Sequence, residues 1–457
     1  MAVSAELVPL RRRALGRDAR ATLKGARNTR SCYNRQPVRG ALGVILTIVL
    51  ADMMGFGLII PLLPFYAKNF NASDFQVGLI FSIYSACQMI GSPVLGMLSD
   101  RFGRRPVLLL SLLGSVSGYL ILAAATYFTW ASPLHGLILV YLSRVIDGFT
   151  GGNVSTAQAY IADVTPPDQR ARAMGLMGAA FGIGFSIGPG VGGLLGYYHP
   201  SWPAVAAAVL CLFAATMTLF RLRESRHHEP SEEGELWLHP SRFAPVLRNG
   251  PLVQMMMIAF FSMIAFVMLE AVFALFLKDT FGYGPREVGW FFAFVGATII
   301  IVQGFLIGRL TRRFGEWSIV ITGPLLVTGA MAIYVEAGLR PMVWLVIVAG
   351  LFNATGRSLQ MPSLNSLISK HSDRTMHGRV FGLHHMLGSL ARVIGPVIAT
   401  GVYTLHHTTP FVVAGAVTLS VAVWTIYLRA REPGERGFEV AALTPSPLLR
   451  GEGGGEG

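Results

Sequence analysis

The sequence predicts an all-α integral membrane protein, with twelve transmembrane helices in two six-helix bundles and both termini in the cytoplasm. Three observations predict this fold: a shortage of charge, the lengths of the uncharged runs and an internal repeat. Only 13% of the 457 residues are charged and 53% are hydrophobic, with a mean hydropathy of +0.54. Soluble domains carry about 25% charged residues. The composition therefore excludes a soluble enzyme, and its high apolar content also excludes a disordered chain.

The uncharged runs have the lengths of membrane crossings, because a bilayer core of about 30 Å requires roughly 20 helical residues. The 38 uncharged residues between Arg105 and Arg144 are divided by the turn composition WASPLH, and the 48 between Arg172 and Arg221 by YYHPSWP. Each of these two runs therefore predicts two helices joined by a short loop. Eight further spans are expected at residues 41–66, 76–98, 251–278, 288–308, 317–338, 341–368, 380–405 and 408–428.

The distribution of basic residues predicts the orientation. With the N-terminus inside, 30 of the 37 Lys and Arg residues fall in the tails and inner loops, and four fall in outer loops. The positive-inside rule then places both termini in the cytoplasm, in a multi-pass protein of the inner or plasma membrane. The same distribution accounts for the formal net charge of +13 without a nucleic-acid partner. For the Arg-rich head, a positive-inside disordered tail is expected, with a transit peptide or a lipid-binding arm as alternatives.

One charged, turn-rich stretch separates six spans from six. The predicted organisation is a basic tail (1–40), an N-terminal bundle (41–222), a cytoplasmic linker (223–250), a C-terminal bundle (251–430) and a low-complexity tail (431–457). The three cysteines are few, widely spaced and odd in number, which fits neither a disulfide framework nor a metal site.

The two halves of the chain repeat each other. Residues 96–104 (GMLSDRFGR) resemble residues 308–316 (GRLTRRFGE) at a spacing of 212, and residues 172–176 (RAMGL) resemble residues 379–383 (RVFGL) at a spacing of 207. Parallel repeats of six helices place a substrate site near the middle of the membrane and permit alternating access by rocking one half against the other. The repeat therefore favours a transporter.

Four stretches match the motifs of one family. Residues 96–105 (GMLSDRFGRR) follow the pattern G-x-L-a-D-r-x-G-r-k, and residues 144–148 (RVIDG) follow R-x-x-q-G. Residues 184–193 (GFSIGPGVGG) match an antiporter motif, and residues 52–64 (DMMGFGLIIPLLP) match the first helix of drug exporters. The sequence therefore resembles the major facilitator superfamily, above all its twelve-helix drug:proton antiporters, which include the tetracycline efflux proteins. The resemblance covers roughly residues 41–430.

The resemblance implies that residues 96–105, here called the gating loop, form a cytoplasmic gate. In the family, the aspartate of this loop reaches the end of span eleven and its arginines hold inner-loop carboxylates while the inner side is closed. The gating residues carried over are Gly96, Asp100, Arg101, Gly103, Arg104 and Arg105. Arg312 replaces the aspartate in the second copy, which predicts that this copy is degraded.

The antiporter motif predicts a close helix contact in span five. Its residues are Gly184, Gly188, Pro189, Gly192 and Gly193, and the glycines at 184, 188, 192 and 196 share one helix face. Small faces let helices approach closely. Plain helix packing is one interpretation, and the resemblance implies another, in which tight packing prevents leakage and favours exchange.

Ionisable side chains within spans need a reason to be there, since a charge at the membrane centre costs about 2.5–3.5 kcal/mol on insertion scales. Asp52 and Glu270 are candidates for the proton-coupling carboxylates, with a purely structural carboxyl as the alternative in each case. Arg144 and Asp147 lie three residues apart on one helix, so they can neutralise each other as a self-satisfied pair. The resemblance instead implies that Arg144 tunes the nearby carboxylates. Asp147 replaces the usual Gln of the motif.

Further candidates lie in the second half. Arg357 and Arg392 are expected to be cations of the cavity, and His384 and His385 could join a proton relay, although histidines near the inner end of a span are more often interfacial. The aromatic residues that could line a drug pocket are Phe56, Phe266, Phe273 and Trp290.

These features together predict a monomeric exporter of amphiphilic small molecules in exchange for protons. The expected partners are the small substrate, protons and the lipid bilayer. The proton gradient is the expected energy source, with no cofactor and no metal, because no G-x-x-x-x-G-K-[ST] nucleotide motif occurs. A sugar or metabolite transporter of the same family is the nearest alternative. An intramembrane enzyme is disfavoured because no H-E-x-x-H zinc motif occurs, and a sensor or scaffold without flux is a third alternative.

Overall fold

The protein is helical throughout the part that the structure describes. The computed structural model describes residues 38–166, 169–225, 244–372 and 376–431, and it contains no strand in these ranges. The predicted basic head and the C-terminal tail lie almost entirely outside the described residues, as does most of the predicted linker.

Helices α1 to α8 form the first half of the chain. Their bounds are α1 Val38–Ile59, α2 Leu63–Asn69, α3 Asp74–Phe102, α4 Arg104–Tyr127, α5 Pro133–Thr150, α6 Asn153–Val164, α7 Arg170–Tyr198 and α8 Trp202–Arg221. A 3₁₀ turn at Ile60–Leu62 connects α1 to α2. Helix α3 begins with a capping box, in which Ser73 and Gln76 exchange hydrogen bonds between side chain and backbone.

Helices α9 to α15 form the second half. Their bounds are α9 Ala244–Leu247, α10 Gly250–Phe281, α11 Pro285–Ile301, α12 Ile307–Leu339, α13 Val343–Lys370, α14 His377–Tyr403 and α15 Thr409–Arg431. A π-helical turn at Val302–Leu306 connects α11 to α12. Gly315 interrupts α12 with a φ of 76°, so this long helix consists of two helices joined at a kink.

The two loops predicted within the long uncharged runs are confirmed. Helix α4 ends at Tyr127 and α5 begins at Pro133, where the Ser132 hydroxyl accepts a hydrogen bond from the Leu134 N–H. Helix α7 ends at Tyr198 and α8 begins at Trp202. Proline lies in the first turn of both new helices, where its missing N–H leaves no helical hydrogen bond unmade.

Nine helical segments among the described residues are long and apolar enough to cross a membrane. One of them, residues 285–339, is 55 residues long and includes the kink at Gly315. The helices that carry Arg144 and Arg357 are not among the nine. Buried charged and polar side chains lower the mean hydropathy of these helices, so the composition of a span that carries such side chains conceals it.

The chain divides into two compact units. The first unit comprises Met1–Glu235 with Ala271–Ile300, and the second comprises Leu236–Glu270 with Ile301–Gly457. Within the first unit, α1 packs against α7 and α8, while α4 packs against α5 and α8. Within the second unit, α12 packs against α13 and α15.

Each unit has its own apolar core. In the first unit, Ile45, Leu112 and Tyr160 belong to one buried cluster. In the second, Met255, Trp317 and Leu364 belong to another. These cores fix the helices that position the charged side chains described next.

Candidate functional site

Asp52 lies on α1 inside the first unit and is only 7% exposed. The Cys211 thiol of α8 points at it, with Sγ 3.8 Å from Oδ1. The side chain of Asn153, the first residue of α6, is a second hydrogen-bond partner of the carboxyl. Three helices therefore converge on this buried acid.

Arg144 and Asp147 form a buried ion pair on α5. Arg144 Nη1 lies 3.2 Å from Asp147 Oδ2, and each side chain is 2% exposed. The second guanidinium nitrogen, Nη2, has no hydrogen-bond partner in the described parts of the chain. Ser115 and Tyr119 of α4 are side-chain hydrogen-bond partners of Asp147. The pair is therefore real, but the arginine retains an unused donor.

Aromatic rings complete the surroundings of the Arg144 guanidinium. Its Cζ lies 5.7 Å from the ring centroid of Tyr119 and 5.9 Å from that of Tyr84, within the range of cation–π attraction. Asp147 also interacts electrostatically with Asp52. Asp52, Arg144 and Asp147, here called the Asp52 cluster, thus place two carboxyls and one arginine in electrostatic contact. With both carboxyls ionised the cluster carries one negative charge.

A cluster of opposite balance lies in the second unit. Glu270 of α10 interacts electrostatically with Arg392 of α14 and Arg357 of α13. All three residues are half-buried, and they are here called the Glu270 cluster. When every member is ionised it carries one positive charge.

Neutral groups hold the Arg357 guanidinium. Nη1 donates to the Ser262 carbonyl at 3.2 Å, and Nη2 donates to the Met263 Sδ at 3.0 Å. Cζ lies 3.8 Å from the centroid of the Phe266 ring. Gln360, one turn further along α13, donates to the Ser262 hydroxyl at 2.7 Å. The orientation of the arginine is therefore fixed while its charge is not cancelled by these contacts.

The gating loop is a tight connection between α3 and α4. Gly103 has a φ of 103°, where side chains are strained, and a Cβ there would lie 2.5 Å from Glu224 Oε2. The Glu224 carboxylate accepts the backbone N–H groups of Arg104 and Arg105, at 2.8 and 3.1 Å. A carboxylate at this position satisfies the free N–H groups that begin α4 and complements the helix dipole.

The Arg104 side chain connects the loop to the end of α6. It contacts Asp100 with Nη1 at 2.7 Å and Asp163 with Nε at 3.2 Å. Nη1 also donates to the Ser99 hydroxyl at 2.7 Å. Arg105 extends to the Leu219 carbonyl of α8, which Nη2 approaches to 2.6 Å. The two arginines thus fasten the loop to two neighbouring helices.

The second copy of this loop has the same backbone conformation. Gly315 is 212 residues after Gly103 and also has a positive φ, at 76°. The next residue, Glu316, accepts hydrogen bonds from the Lys370 ammonium and the Ser366 hydroxyl, both at 2.8 Å. The repeat seen in the sequence is therefore a repeat of structure.

The glycines of α7 pack against α1, as the sequence predicts. A Cβ at Gly184 would lie 2.8 Å from the Met53 Cβ, and a Cβ at Gly188 would lie 2.9 Å from the Gly57 Cα. A Cβ at Gly192 would collide with the Leu58 carbonyl oxygen. Residues with side chains would therefore push α1 and α7 apart.

A second small face of α7 packs against α11. A Cβ at Gly193 would lie 2.6 Å from the Gly289 Cα, and a Cβ at Gly190 would lie 3.0 Å from the Ala293 Cβ. Ser186 occupies the space next to Gly296 in the same way. Helix α7 is therefore in close contact on two faces.

The comparisons with known proteins agree with this architecture. The sequence model of the Major Facilitator Superfamily matches residues 45–396 and 325–452. Tetracycline resistance protein, class C, of Escherichia coli is 35% identical over 379 residues, which span 81% of this chain and 91% of that protein. Multidrug resistance protein 2 of Bacillus subtilis is 28% identical over 383 residues, spanning 82% and 92%.

Solved structures show the same fold. The human organic anion transporter MFSD10 superimposes with a TM-score of 0.63 at 23% identity, covering 86% of this chain and all of that chain. The nucleoside transporter NupG superimposes with a TM-score of 0.68 at 11% identity, covering 84% and 99%.

The chain belongs to the Major Facilitator Superfamily. Its apolar helices and this membership make it a multi-pass membrane protein. Its sequence relatives include tetracycline and multidrug resistance proteins, so the resemblance inferred from the motifs is confirmed.

The remaining sequence candidates of this superfamily member take varied places. His384 and His385 of α14 lie with ring centroids 6.0 Å apart, and His385 interacts electrostatically with Arg392. Phe273 packs on Phe291 with centroids 4.6 Å apart. Trp290 is 62% exposed, which does not favour a role in lining a pocket.

Two further features of the superfamily member concern possible sites. An apolar cavity of about 660 Å³ is lined by Thr322, Leu325, Leu326, Gly329, Ile333 and Phe352, none of which is a predicted site residue. Residues 184–188 (GFSIG) have the G-x-S-x-G spacing of hydrolases, a spacing that the sequence analysis did not weigh. Their serine lies inside α7 and not on the strained strand-to-helix turn that such a nucleophile requires.

Several partners of the predicted acids were missed by sequence reasoning. Cys211, Asn153, Ser115 and Tyr119 are far from Asp52 and Asp147 along the chain or lie on other helices. Neither their types nor their spacing distinguishes them from ordinary polar residues of a span. The small residues Gly289 and Gly296, seven apart on α11, were a signal that could have indicated the second contact face of α7.

Proposed function

We propose that this protein is a secondary active transporter that exports amphiphilic small molecules or drugs, tetracycline-like or multidrug, in exchange for protons by alternating access. The names of its relatives support the substrate class. The observation that carries the exchange mechanism is the Asp52 cluster, in which two buried carboxyls share one arginine.

The Asp52 cluster is suited to exchange because its charge is unbalanced by one unit. One proton makes the cluster neutral, and a substrate cation placed beside it does the same. Since an uncompensated charge is costly in a membrane interior, the two ligands would compete for one negative charge. Competition of this kind is what couples outward movement of a drug to inward movement of a proton. Glu270 is the second candidate proton carrier, within the second unit.

The other predicted residues have supporting roles in the proposal. Asp100, Arg101, Arg104 and Arg105, with Gly96 and Gly103, form the cytoplasmic gate, whose contacts break when the inner side opens. Gly184, Gly188, Pro189, Gly192 and Gly193 keep α7 in close contact with its neighbours and prevent leakage. Arg144 tunes the carboxyls beside it, and Arg357 and Arg392 line the transport pathway.

The proposed topology follows the sequence. Twelve spans form the two bundles, 41–222 and 251–430, in the inner or plasma membrane, with both termini in the cytoplasm. The protein would act as a monomer, without cofactor, metal, nucleic acid or enzymatic reaction. Each proton that enters along a 100 mV potential supplies about 2.3 kcal/mol, before any pH gradient is added.

A vesicle assay tests the proposal. Inverted membrane vesicles are given an acidic lumen, and a pH dye records whether tetracycline and other amphiphilic drugs release luminal protons. Wild type is compared with Asp52→Asn, Glu270→Gln and the control Glu336→Gln, which changes an exposed carboxyl paired with Arg340. We expect drug-dependent release in wild type and the control, and at least a tenfold loss in Asp52→Asn.

Two other outcomes would contradict the proposal in different ways. If both Asp52→Asn and Glu270→Gln release protons normally, neither carboxyl is the carrier. If no drug moves protons but a sugar or another metabolite does, the protein is a metabolite transporter of the same family, which is the nearest alternative.

A further inference from the structure

The Glu270 cluster contains more positive than negative charge. Its two arginines face one carboxylate, so a unit positive charge remains when all three groups are ionised. The Asp52 cluster has the opposite balance, so charge competition with a proton cannot be the role of both clusters. Buried charges without compensation are rare and mark ligand pathways in membrane proteins.

The depth of the two arginines excludes an ordinary interfacial role. In α13, 14 residues precede Arg357 and 13 follow it; in α14, 15 precede Arg392 and 11 follow it. At 1.5 Å per residue, each arginine is roughly 16–22 Å from the nearer or farther end of its helix. Lipid headgroups at the helix ends therefore lie far from the guanidinium groups.

The surroundings of Arg357 present its charge to a ligand. Its nitrogens are held by the Ser262 carbonyl and the Met263 sulfur, and the Phe266 ring lies 3.8 Å from Cζ. These contacts orient the guanidinium without neutralising it. The three charged residues are half-buried, so they are accessible from a space that a ligand can enter. Phe266 and Met263 provide an apolar and polarisable wall beside the charge.

We propose that Arg357 and Arg392, next to the Phe266 ring, bind the anionic group of an amphiphilic substrate, such as a carboxylate on an apolar body. Arginine is well suited to this task because its planar fork binds carboxylates through paired hydrogen bonds. Glu270 competes with the ligand for the same two arginines. The ligand's identity as a transported substrate rests on the proposed export function, whereas its binding does not.

A matched pair of fluorescent probes tests this proposal. Purified full-length protein in phosphatidylcholine nanodiscs is titrated with 1-pyrenebutyrate and with the neutral 1-pyrenebutanol, which has nearly the same apolar body. We expect the acid to bind at least tenfold more tightly than the alcohol. Arg357→Gln and Arg392→Gln should each weaken acid binding by roughly tenfold to a hundredfold, the loss expected for a hydrogen bond to a charged group.

Two further variants separate binding from a structural role. Glu270→Gln should tighten acid binding and leave alcohol binding unchanged, because the competing carboxylate is removed. Arg340→Gln, at a residue whose side chain is 73% exposed, should leave the acid preference unchanged. Retained alcohol binding reports folded protein in every variant; if one arginine variant does not fold, the other and Glu270→Gln still decide.

The proposal is overturned if wild type binds acid and alcohol equally, or if both arginine variants keep the preference. It is also overturned if phosphatidylglycerol in the nanodiscs abolishes the preference, since a lipid headgroup is then the ligand. The proton-release assay keeps the two proposals distinct. Proton release by neutral or cationic drugs without acid preference defeats only the anion site, and acid preference without any drug-dependent proton release defeats only the export function.

Discussion

Lys370 Nζ lies 2.8 Å from Glu316 Oε2, and this ion pair reproduces with exchanged charges the pair that Arg104 and Asp163 form in the first unit. Arg104 and Glu316 are 212 residues apart, and Asp163 and Lys370 are 207 apart, which are the spacings of the sequence repeat. Each pair joins the residue after the positive-φ glycine to the end of a neighbouring helix. The repeat has therefore kept the contact while reversing its polarity.

The exchanged polarity predicts that Glu316 and Lys370 can be swapped. Glu316→Lys and Lys370→Glu should each destabilise the protein by bringing like charges together, whereas the double variant should recover most of the loss. The Lys370 side chain is 57% exposed, so the coupling is expected to be only about 0.5–1 kcal/mol. A double-mutant cycle on the unfolding free energy measures it. Additive losses in the double variant would show that the backbone accepts only one polarity.

The contact between Asp100 and Arg104 predicts a defect in cycling. Asp100→Asn removes the charge that lies 2.7 Å from Arg104 Nη1 in the gating loop. We expect the transport rate to fall several-fold while substrate affinity changes by about twofold or less, because this loop is remote in the sequence from both charged clusters. Transport rates and equilibrium binding, measured on the same preparation, separate the two effects.

Asp74→Asn is the matched control for the gating-loop change. Asp74 begins the same helix, α3, and is paired with Lys68 at 2.6 Å. This variant should cycle normally. Normal cycling in Asp100→Asn would remove the gating assignment, and equal slowing in both variants would indicate a general effect of lost helix charge.

The contact of α7 with α1 predicts that added volume is costly at one glycine and harmless at another. Gly188→Ala would place a Cβ 2.9 Å from the Gly57 Cα, whereas a Cβ at Gly182 of the same helix meets nothing within 4 Å. Overpacking costs about 1–3 kcal/mol, and alanine is otherwise the better helix former by about 1 kcal/mol. The thermal unfolding midpoint should therefore fall for Gly188→Ala and stay or rise for Gly182→Ala. Equal midpoints would show that α1 and α7 separate easily.

The surroundings of Arg144 predict that lysine cannot replace it. Lysine keeps the charge but lacks the planar group that lies between Tyr119 and Tyr84 and pairs with Asp147. Arg144→Lys should reduce drug-dependent proton release at least tenfold in protein that still inserts and folds. Arg340→Lys, at an exposed position, is the control. Near-normal release in Arg144→Lys would favour the simpler interpretation of a self-neutralised pair.

The sequence by itself determined the class of the protein, because a helix in a membrane must be apolar over a length fixed by the bilayer. The uncharged runs revealed the loops at Ser132 and Ser201, and the spacing of 212 revealed the equivalence of Gly103 and Gly315. Short motifs identified the family for the same reason: tight turns and close helix contacts tolerate few residue types.

Only the tertiary structure decided which groups surround each buried charge. Asp52 and Cys211 are 159 residues apart in the chain, and no periodicity predicts that α1 and α8 bring them together. The sequence showed Arg357 and Arg392 as isolated cations, whereas the fold places both within electrostatic reach of Glu270. Local patterns report what one helix requires of its environment, but the balance of charge at a site depends on which helices become neighbours.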